Sequence, residues 1–183
     1  MKSEKEKMLL GELYFAGDKE LMKERLKLRK LIGKYNVTEC DEKEKRKELL
    51  GKILKNEGDI KIEPPFYCDY GYNIEVGNDF YANYACIILD VNKVKIGENV
   101  MFGPNVQIYT ATHPLNAEER IKGLELSKPI EIGDNVWLGG GVIVCPGVKI
   151  GKNTTIGAGS VVTKDIPDNV FAAGNPCKVL KKI

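Results

Sequence analysis

The feature that most constrains this chain is an aliphatic residue at every sixth position of its second half. These positions are Ile132, Leu138, Val144, Ile150, Ile156 and Val162, and the same spacing occurs earlier at Val76, Ala82 and Ile88 and at Ile96, Phe102 and Ile108. Short strands at this period, separated by Gly-Asn or Gly-Asp corners, are typical of a parallel β-helix built from hexapeptide repeats. The aliphatic residues should point into the coil, while a glycine or asparagine turns each corner, where a positive φ is often required. An ordinary sandwich with irregular turns is disfavoured because the phase repeats.

The six-residue pattern stops between Tyr109 and Pro129, and this gap contains the only histidine of the chain, His113. Ile108 and Ile132 are four whole periods apart, but the intervening positions of the series carry no following glycine. A long polar stretch in a compact domain is usually functional or disordered. We therefore predict a loop over 109–129 that projects from one edge of the coil.

The first sixty residues differ in composition, since Lys, Glu and Leu dominate and proline is absent. Their apolar spacing predicts helices, one after a candidate N-cap at Asp18 and another after Asp41 and Glu44, which resemble a capping box. A Glu-Pro-Pro sequence then ends the helical part because proline cannot continue a helix. We expect a helical segment over 1–60 that packs on a mainly β part over 61–183.

Composition excludes several classes of function. The net charge is +2 with acidic and basic residues mixed, so the chain has no strong positive electrostatic field that would favour binding to nucleic acid. The five cysteines are odd in number and never form a CxxC pair, which fits neither a disulfide framework nor a zinc site. The Lys/Glu-rich start lacks the apolar core of a signal peptide, and no run approaches the ~20 apolar residues of a membrane span. We expect a soluble, cytoplasmic protein that binds neither nucleic acid nor membrane.

His113 is the first candidate for chemistry, because an imidazole with its ordinary pKa of ~6.5 suits a general base at neutral pH. Stacked coils of three hexapeptides should bring together residues about eighteen positions apart, which places Tyr81, Asn83, Asp90 and Trp137 near the loop. Each residue also has a plain structural interpretation. His113 could be a surface histidine, Asn83 a corner residue, Asp90 a solvated carboxylate and Trp137 a packing residue.

A second candidate site lies toward the C-terminus. The segment 157–167 combines small residues with Thr163 and Lys164, and Lys178 and Lys181 follow. A groove floored by small residues with lysines at its end suits an extended phosphorylated ligand, although a basic tail often has no such role. No Walker or Rossmann glycine pattern is present.

Five motifs then identify a family. They are Glu-Lys-Met-Leu-Leu-Gly-Glu-Leu-Tyr at 6–14, Cys-Asp-Tyr-Gly-Tyr-Asn-Ile at 68–74, Phe-Tyr-Ala-Asn at 80–83, Tyr-Thr-Ala-Thr-His-Pro at 109–114 and Val-Thr-Lys-Asp-Ile-Pro-Asp-Asn-Val at 162–170. With them the chain resembles the maltose and galactoside O-acetyltransferases over almost its whole length. The repeats alone would indicate only the wider hexapeptide transferase group. The resemblance implies a left-handed coil, acetyl-CoA as co-substrate, no required metal, and a homotrimer with sites between subunits.

The same resemblance implies roles for individual residues. His113 would be the general base in direct acetyl transfer to a hydroxyl of a maltose- or glucose-type sugar, and Asn83 would orient the acceptor or stabilise the intermediate. The acceptor side matches Arg25, Asp69, Tyr81, Asn83, Asp90, Met101 and Glu125, and the aspartate expected near position 16 is displaced to Asp18. The coenzyme A side matches Gly140, Ala158, Thr163, Lys164, Lys178 and Lys181, and we expect Trp137 to line it. Arginines often stand at the last two positions, so lysine keeps the charge but loses bidentate phosphate recognition.

Other functions remain as alternatives. A related acetyltransferase on this scaffold could act on a galactoside, an antibiotic, serine or a nucleotide-linked amino sugar. A non-catalytic β-helix scaffold would need only the repeats, and His113 would then be incidental. A zinc carbonic anhydrase would require three histidines around the metal, and the single histidine excludes it.

Overall fold

The computed structural model describes residues 2–56 and 58–183, and it begins with a helical segment. Its elements are α1 Glu4–Leu10, β1 Tyr14–Phe15, α2 Lys19–Asn36 and α3 Lys43–Ile53. Asp18 is the N-cap of α2, as predicted, because its Oδ1 accepts the backbone N–H groups of Glu20 at 2.9 Å and Leu21 at 3.3 Å. The Asp18 carboxylate therefore satisfies two backbone N–H groups of the first turn of α2.

The capping box predicted at Asp41 and Glu44 is wrong. Helix α3 begins later, and its N-cap, Glu42, makes no side-chain capping bond. A capping box does exist at the start of α1, where Ser3 and Glu6 satisfy each other's backbone N–H groups.

Beyond the helices, the chain passes in turn through three parallel sheets. The first sheet contains β2 Lys55–Asn56, β5 Ile74–Val76, β8 Val94–Ile96, β13 Ile130–Ile132 and β16 Lys149–Ile150. The second contains β3 Ile60–Ile62, β6 Phe80–Ala82, β9 Met101–Phe102, β14 Trp137–Leu138, β17 Thr155–Ile156, β19 Val170–Ala173 and the antiparallel β20 Lys178–Lys182. The third contains β4 Tyr67–Cys68, β7 Ile87–Leu89, β10 Gln107–Tyr109, β15 Ile143–Val144 and β18 Val161–Val162. Apart from β20, sheet neighbours are parallel strands from successive circuits, so the predicted parallel β-helix is confirmed.

All twelve aliphatic and aromatic residues of the six-residue series point into the coil, each with 4% or less of its surface exposed. The helices extend the same core, in which Leu28, Ile32 and Tyr35 of α2 pack with residues of the coils. Burial on this scale supplies the main driving force for the fold. No helix in the described part of the chain is long and apolar enough to cross a membrane.

We name the turns by the sheets they join: the 1–2 corner, the 2–3 corner and the 3–1 corner. At the 1–2 corner the positive φ belongs to Asp79 and to asparagines such as Asn135, whose side chain donates to Asn153 Oδ1 at 2.8 Å in the next coil. Gly133, which precedes it, has no positive φ, but a Cβ there would lie 2.7 Å from the backbone N of Lys152. Glycine is therefore needed for close stacking of coils, and asparagine supplies the left-handed turn.

The sequence predicted circuits of eighteen residues, but some circuits in the structure are longer. Trp137 pairs with Thr155, eighteen residues on, but Tyr81 pairs with Met101, twenty residues on. The lengthening falls at the 3–1 corner, where Cys68 and Val76, and likewise Ile88 and Ile96, stand eight positions apart instead of six. The predicted loop also leaves from this corner, between β10 and β13.

The loop is folded and held by the N-terminal segment. It consists of β11 Ala111–Thr112, α4 Ala117–Ile121 and β12 Leu124–Ser127, and β12 pairs antiparallel with both β11 and β1. A buried network reinforces the junction: Asn92 Nδ2 donates to Ser127 Oγ at 2.8 Å, and that hydroxyl donates to the carbonyl of Met8 at 2.5 Å. The loop, the helical segment and the 3–1 corner therefore meet in one place.

Candidate active site

Charged side chains converge where these three parts meet. Asp69 follows β4 at the 3–1 corner, Arg25 reaches the same corner from α2, and Glu125 comes from β12 of the loop. We call these three residues the acceptor cluster, after the role that the resemblance implies for them. Burial raises the pKa of the Asp69 carboxyl above its ordinary value, and Glu125 adds to this effect, while the guanidinium groups of Arg25 and Arg29 oppose it.

Two tyrosines hold members of the cluster in place. Tyr14 is fully buried, and its hydroxyl donates to Glu125 Oε2 at 2.5 Å. Burial, followed by the contact with Glu125, raises the pKa of Tyr14, so its phenol remains a hydrogen-bond donor. Arg25 donates through Nη1 to the hydroxyl of Tyr70 at 2.5 Å and through Nη2 to the carbonyl of Ala16 at 2.6 Å. Two members of the cluster, Glu125 and Arg25, are thus held by hydrogen bonds.

His113 directly follows β11 and is exposed. Its Nδ1 faces the carbonyl of Leu124 at 3.5 Å, the position next to Glu125. A carbonyl can only accept, so a hydrogen bond at this contact would place the hydrogen on Nδ1 and leave the Nε2 lone pair free. An imidazole in this tautomer can accept a proton from a hydroxyl group.

The remaining carboxylate predicted at this corner, Asp90, points inward. Asp90 has no exposed surface. Its Oδ1 accepts the backbone N–H groups of Asp69 at 2.8 Å and Tyr70 at 2.9 Å. Burial raises the pKa of Asp90 to about 7, partly offset by these two bonds. The direct acceptor contact expected of Asp90 is therefore not available in this chain.

A second group of predicted residues lines the 2–3 corner. Gly140 and Ala158 stack in adjacent coils, where the N–H of Gly159 donates to the carbonyl of Gly140 at 2.9 Å. Asn83 lies at the same corner two coils earlier, and its N–H donates to the carbonyl of Phe102 at 3.0 Å. The side chain of Asn83 accepts the N–H of Tyr84 at 2.7 Å. Small residues therefore stack at this corner in later coils than the one that carries Asn83.

The other predicted residues are distributed over the outer surface. Tyr81, Met101 and Trp137 pair in one outward row of the second sheet, away from the acceptor cluster of the same chain. Thr163 and Lys164 follow β18 at the 3–1 corner and are exposed. Lys178 and Lys181 are exposed on β20.

His113 and Asn83 lie on opposite sides of the third sheet. Asn83 precedes strand β7 at the 2–3 corner, whereas the loop with His113 leaves the 3–1 corner after β10. Each of these strands is three residues long, about 10 Å at ~3.3 Å per residue. A single chain therefore does not bring the two residues together.

The sequence reasoning missed Tyr14 and Tyr70, which hold Glu125 and Arg25. Both tyrosines lie inside recognised motifs, but Glu125 is 111 positions from Tyr14 and Tyr70 is 45 positions from Arg25. No local periodicity reports such contacts. Among the residues that the structure describes, no three His, Cys, Asp or Glu side chains are arranged to hold a metal ion.

Comparison with known proteins gives consistent matches. The family described as "Maltose acetyltransferase hexapeptide capping motif" matches residues 7–58, and "Bacterial transferase hexapeptide (six repeats)" matches residues 129–164. The galactoside O-acetyltransferase of Lactococcus lactis is 49% identical over 94% of this chain and 84% of its own length. The structure of a maltose O-acetyltransferase from Clostridium difficile is 57% identical, with a TM-score of 0.98 over 100% of this chain and 98% of that one. A galactoside acetyltransferase in complex with coenzyme A is 42% identical, with a TM-score of 0.97 over 100% and 92% of the two chains.

Proposed function

This chain belongs to the maltose and galactoside O-acetyltransferase family, and we propose that it transfers the acetyl group of acetyl-CoA to a sugar hydroxyl with His113 as general base. The observation that carries the proposal is the acceptor cluster of Arg25, Asp69 and Glu125 beside the hairpin of His113. Carboxylates accept from sugar hydroxyls and a guanidinium donates to them, so the cluster suits a polyhydroxylated acceptor. A largely apolar antibiotic would leave these charges unpaired.

The proposed reaction is a direct transfer. His113 Nε2 takes the proton of the sugar hydroxyl while the hydroxyl oxygen attacks the thioester carbonyl, and a tetrahedral oxyanion forms. Collapse of the oxyanion breaks the C–S bond, and the leaving thiolate takes the proton from the imidazolium, which gives the acetyl ester and free coenzyme A. Asn83 orients the acceptor or stabilises the oxyanion, a contribution whose loss typically costs ~10²–10³ in rate.

We assign the coenzyme side to the 2–3 corner and the C-terminal lysines. The small residues Gly140 and Ala158 allow the extended part of the coenzyme to lie close to the coil. Lys178 and Lys181 provide ammonium partners for phosphates, together with Lys164. In this division the segment 1–60 shapes the acceptor side, and the β part over 61–183 supplies the rest of the site.

We further propose a homotrimer in which each site is shared by two subunits. A closed threefold arrangement can place the 2–3 corner of one subunit against the 3–1 corner of the next, which joins Asn83 to the neighbour's histidine loop. The outer face of the third sheet supports this arrangement, because it presents half-buried Ile87, Ile143 and Val161. A cytoplasmic location is part of the proposal, supported by five free cysteines.

Subunit complementation tests the shared site. His113→Ala and Asn83→Ala should each be nearly inactive alone. Random co-assembly in equal amounts should restore about one quarter of wild-type activity, because one site in four then combines an intact histidine with an intact asparagine. A site built within one chain would give no recovery, and a monomer in light scattering would also contradict the model.

A thiol-release assay with acetyl-CoA tests the reaction itself. The acceptors are maltose, glucose, a galactoside, serine and chloramphenicol. We expect turnover with the sugars. Turnover confined to serine or chloramphenicol would support the related acetyltransferases, and no release with any acceptor would support a non-catalytic scaffold.

A further inference from the structure

The buried carboxylate of Asp90 stands directly behind the main chain that carries Asp69. Its Oδ1 accepts the N–H groups of both Asp69 and Tyr70, at 2.8 and 2.9 Å. Its own main chain is fixed in turn, because Asn73 Nδ2 donates to the carbonyl of Asp90 at 2.8 Å. One oxygen atom of Asp90 therefore binds the main chain of two consecutive residues at the point where the chain leaves strand β4.

The two extra residues of the 3–1 corner explain why such a support is needed. The spacing from Cys68 to Val76 is eight positions instead of six, so the backbone after β4 leaves the parallel ladder. Buried N–H groups without a ladder partner must find another acceptor. In the first coil, the carboxylate of Asp90 from the next coil takes that place.

The support extends to the arginine of the acceptor cluster. Tyr70, whose N–H is bound by Asp90, receives the hydrogen bond of Arg25 on its hydroxyl. Asp90 thus binds the main chain of Asp69 and also that of Tyr70, which is the hydrogen-bond partner of Arg25. The other carboxylate oxygen, Oδ2, has no partner among the described residues, so the contacts need only one acceptor oxygen.

We infer that Asp90 is a positioning residue of the acceptor site, which acts through the main chain of Asp69 and Tyr70 by means of a single hydrogen-bond acceptor. The inference rests on the proposed function, because it takes Asp69 and Arg25 to be the groups that meet the sugar. Among the described residues, the titratable groups that interact with Asp90 include Cys68, Asp69 and Tyr72.

Two substitutions separate the acceptor atom from the charge. Asp90→Asn keeps an oxygen in the Oδ1 position, and Asp90→Ala removes it. We expect Asp90→Ala to raise the KM for the sugar by ~10-fold or more, with the KM for acetyl-CoA unchanged, and Asp90→Asn to stay within ~3-fold of wild type. Thr154→Ala is the control, since it removes another fully buried polar side chain, bonded to the carbonyl of Pro167 at 2.9 Å far from the cluster.

Hydrogen exchange of the two amides gives a readout that does not depend on activity. The N–H groups of Asp69 and Tyr70 should exchange faster in Asp90→Ala than in wild type, and at nearly the wild-type rate in Asp90→Asn. An unchanged sugar KM in Asp90→Ala, equal rises in both KM values, or an Asp90→Asn variant as impaired as alanine would each overturn the inference. If Asp90→Ala does not fold, the Asp90→Asn values decide. If the wild type transfers no acetyl group to sugars, the proposed function fails, and the exchange rates still test the positioning.

Discussion

Removing one hydroxyl from the N-terminal segment should weaken the acceptor site more than 100 positions away in the sequence. In Tyr14→Phe the ring stays fully buried, and only the bond to Glu125 Oε2 at 2.5 Å is lost. A hydrogen bond to a charged group contributes ~1.5–3 kcal/mol, and the partly exposed Glu125 can bind water in place of the lost hydroxyl, so we expect a loss near ~1.5 kcal/mol. For a chain of this length this corresponds to a fall in Tm of roughly 3–6 °C.

The functional effect should be specific to the acceptor. Freed from Tyr14, the Glu125 carboxylate loses its fixed position, and a loss of ~1 kcal/mol in sugar binding raises the KM for the sugar ~5-fold. The KM for acetyl-CoA should not change. Calorimetry and steady-state kinetics with both substrates varied measure the two effects.

Tyr35→Phe is the matched control for this prediction. Tyr35 is also fully buried, and its hydroxyl donates to the carbonyl of Ile62, away from the acceptor cluster. It should lower the Tm by a similar amount and leave both KM values unchanged. The reasoning is refuted if Tyr14→Phe keeps the wild-type sugar KM, or if Tyr35→Phe raises it equally.

Three further predictions concern the coil, the buried carboxylate and the coenzyme side. Gly133→Ala should cost ~1–3 kcal/mol because its Cβ would lie 2.7 Å from the next coil, whereas Gly33→Ala, in a helix with open space, should stabilise by ~1 kcal/mol; urea unfolding compares them. The pKa of Asp90 is about 7 when folded and ~3.9 when unfolded, so its contribution to stability is greatest below pH ~4 and is lost as pH rises toward 7; the decline in Tm between pH 4 and 7 should be smaller in Asp90→Asn. Lys181→Ala should raise the KM for acetyl-CoA ~3-fold or more at low salt and less at high salt, with the sugar KM unchanged, and an effect independent of salt would contradict a phosphate contact.

The core of this fold could be predicted from sequence because its period is tied directly to geometry. A residue such as Leu138 recurs six positions after Ile132 since each side of the coil takes six residues, and both point inward. The position of the loop could be predicted for the same reason, as an interruption of the period. The reason for the glycines was only partly right, since Gly133 permits close stacking and Asn135 supplies the positive φ.

The internal structure of the loop could not be predicted, because it depends on contacts distant in sequence. Strand β12 exists through its pairing with β11 and with β1, where Tyr14 faces Glu125. For the same reason the resemblance predicted acceptor-side roles for Asp69 and Glu125 without indicating which residues hold their side chains. It also placed Asp90 on the acceptor side, whereas two buried N–H groups draw that carboxylate inward.

The central claim is that His113 removes the proton of the sugar hydroxyl. The most direct test compares kcat of wild type and His113→Ala in the thiol-release assay with a sugar acceptor. Because the ring is exposed and its polar contact among the described residues is a 3.5 Å approach to the carbonyl of Leu124, the substitution should leave the Tm and the KM for acetyl-CoA unchanged. We predict a fall in kcat of ~10² or more, and a turnover equal to that of wild type would contradict the mechanism.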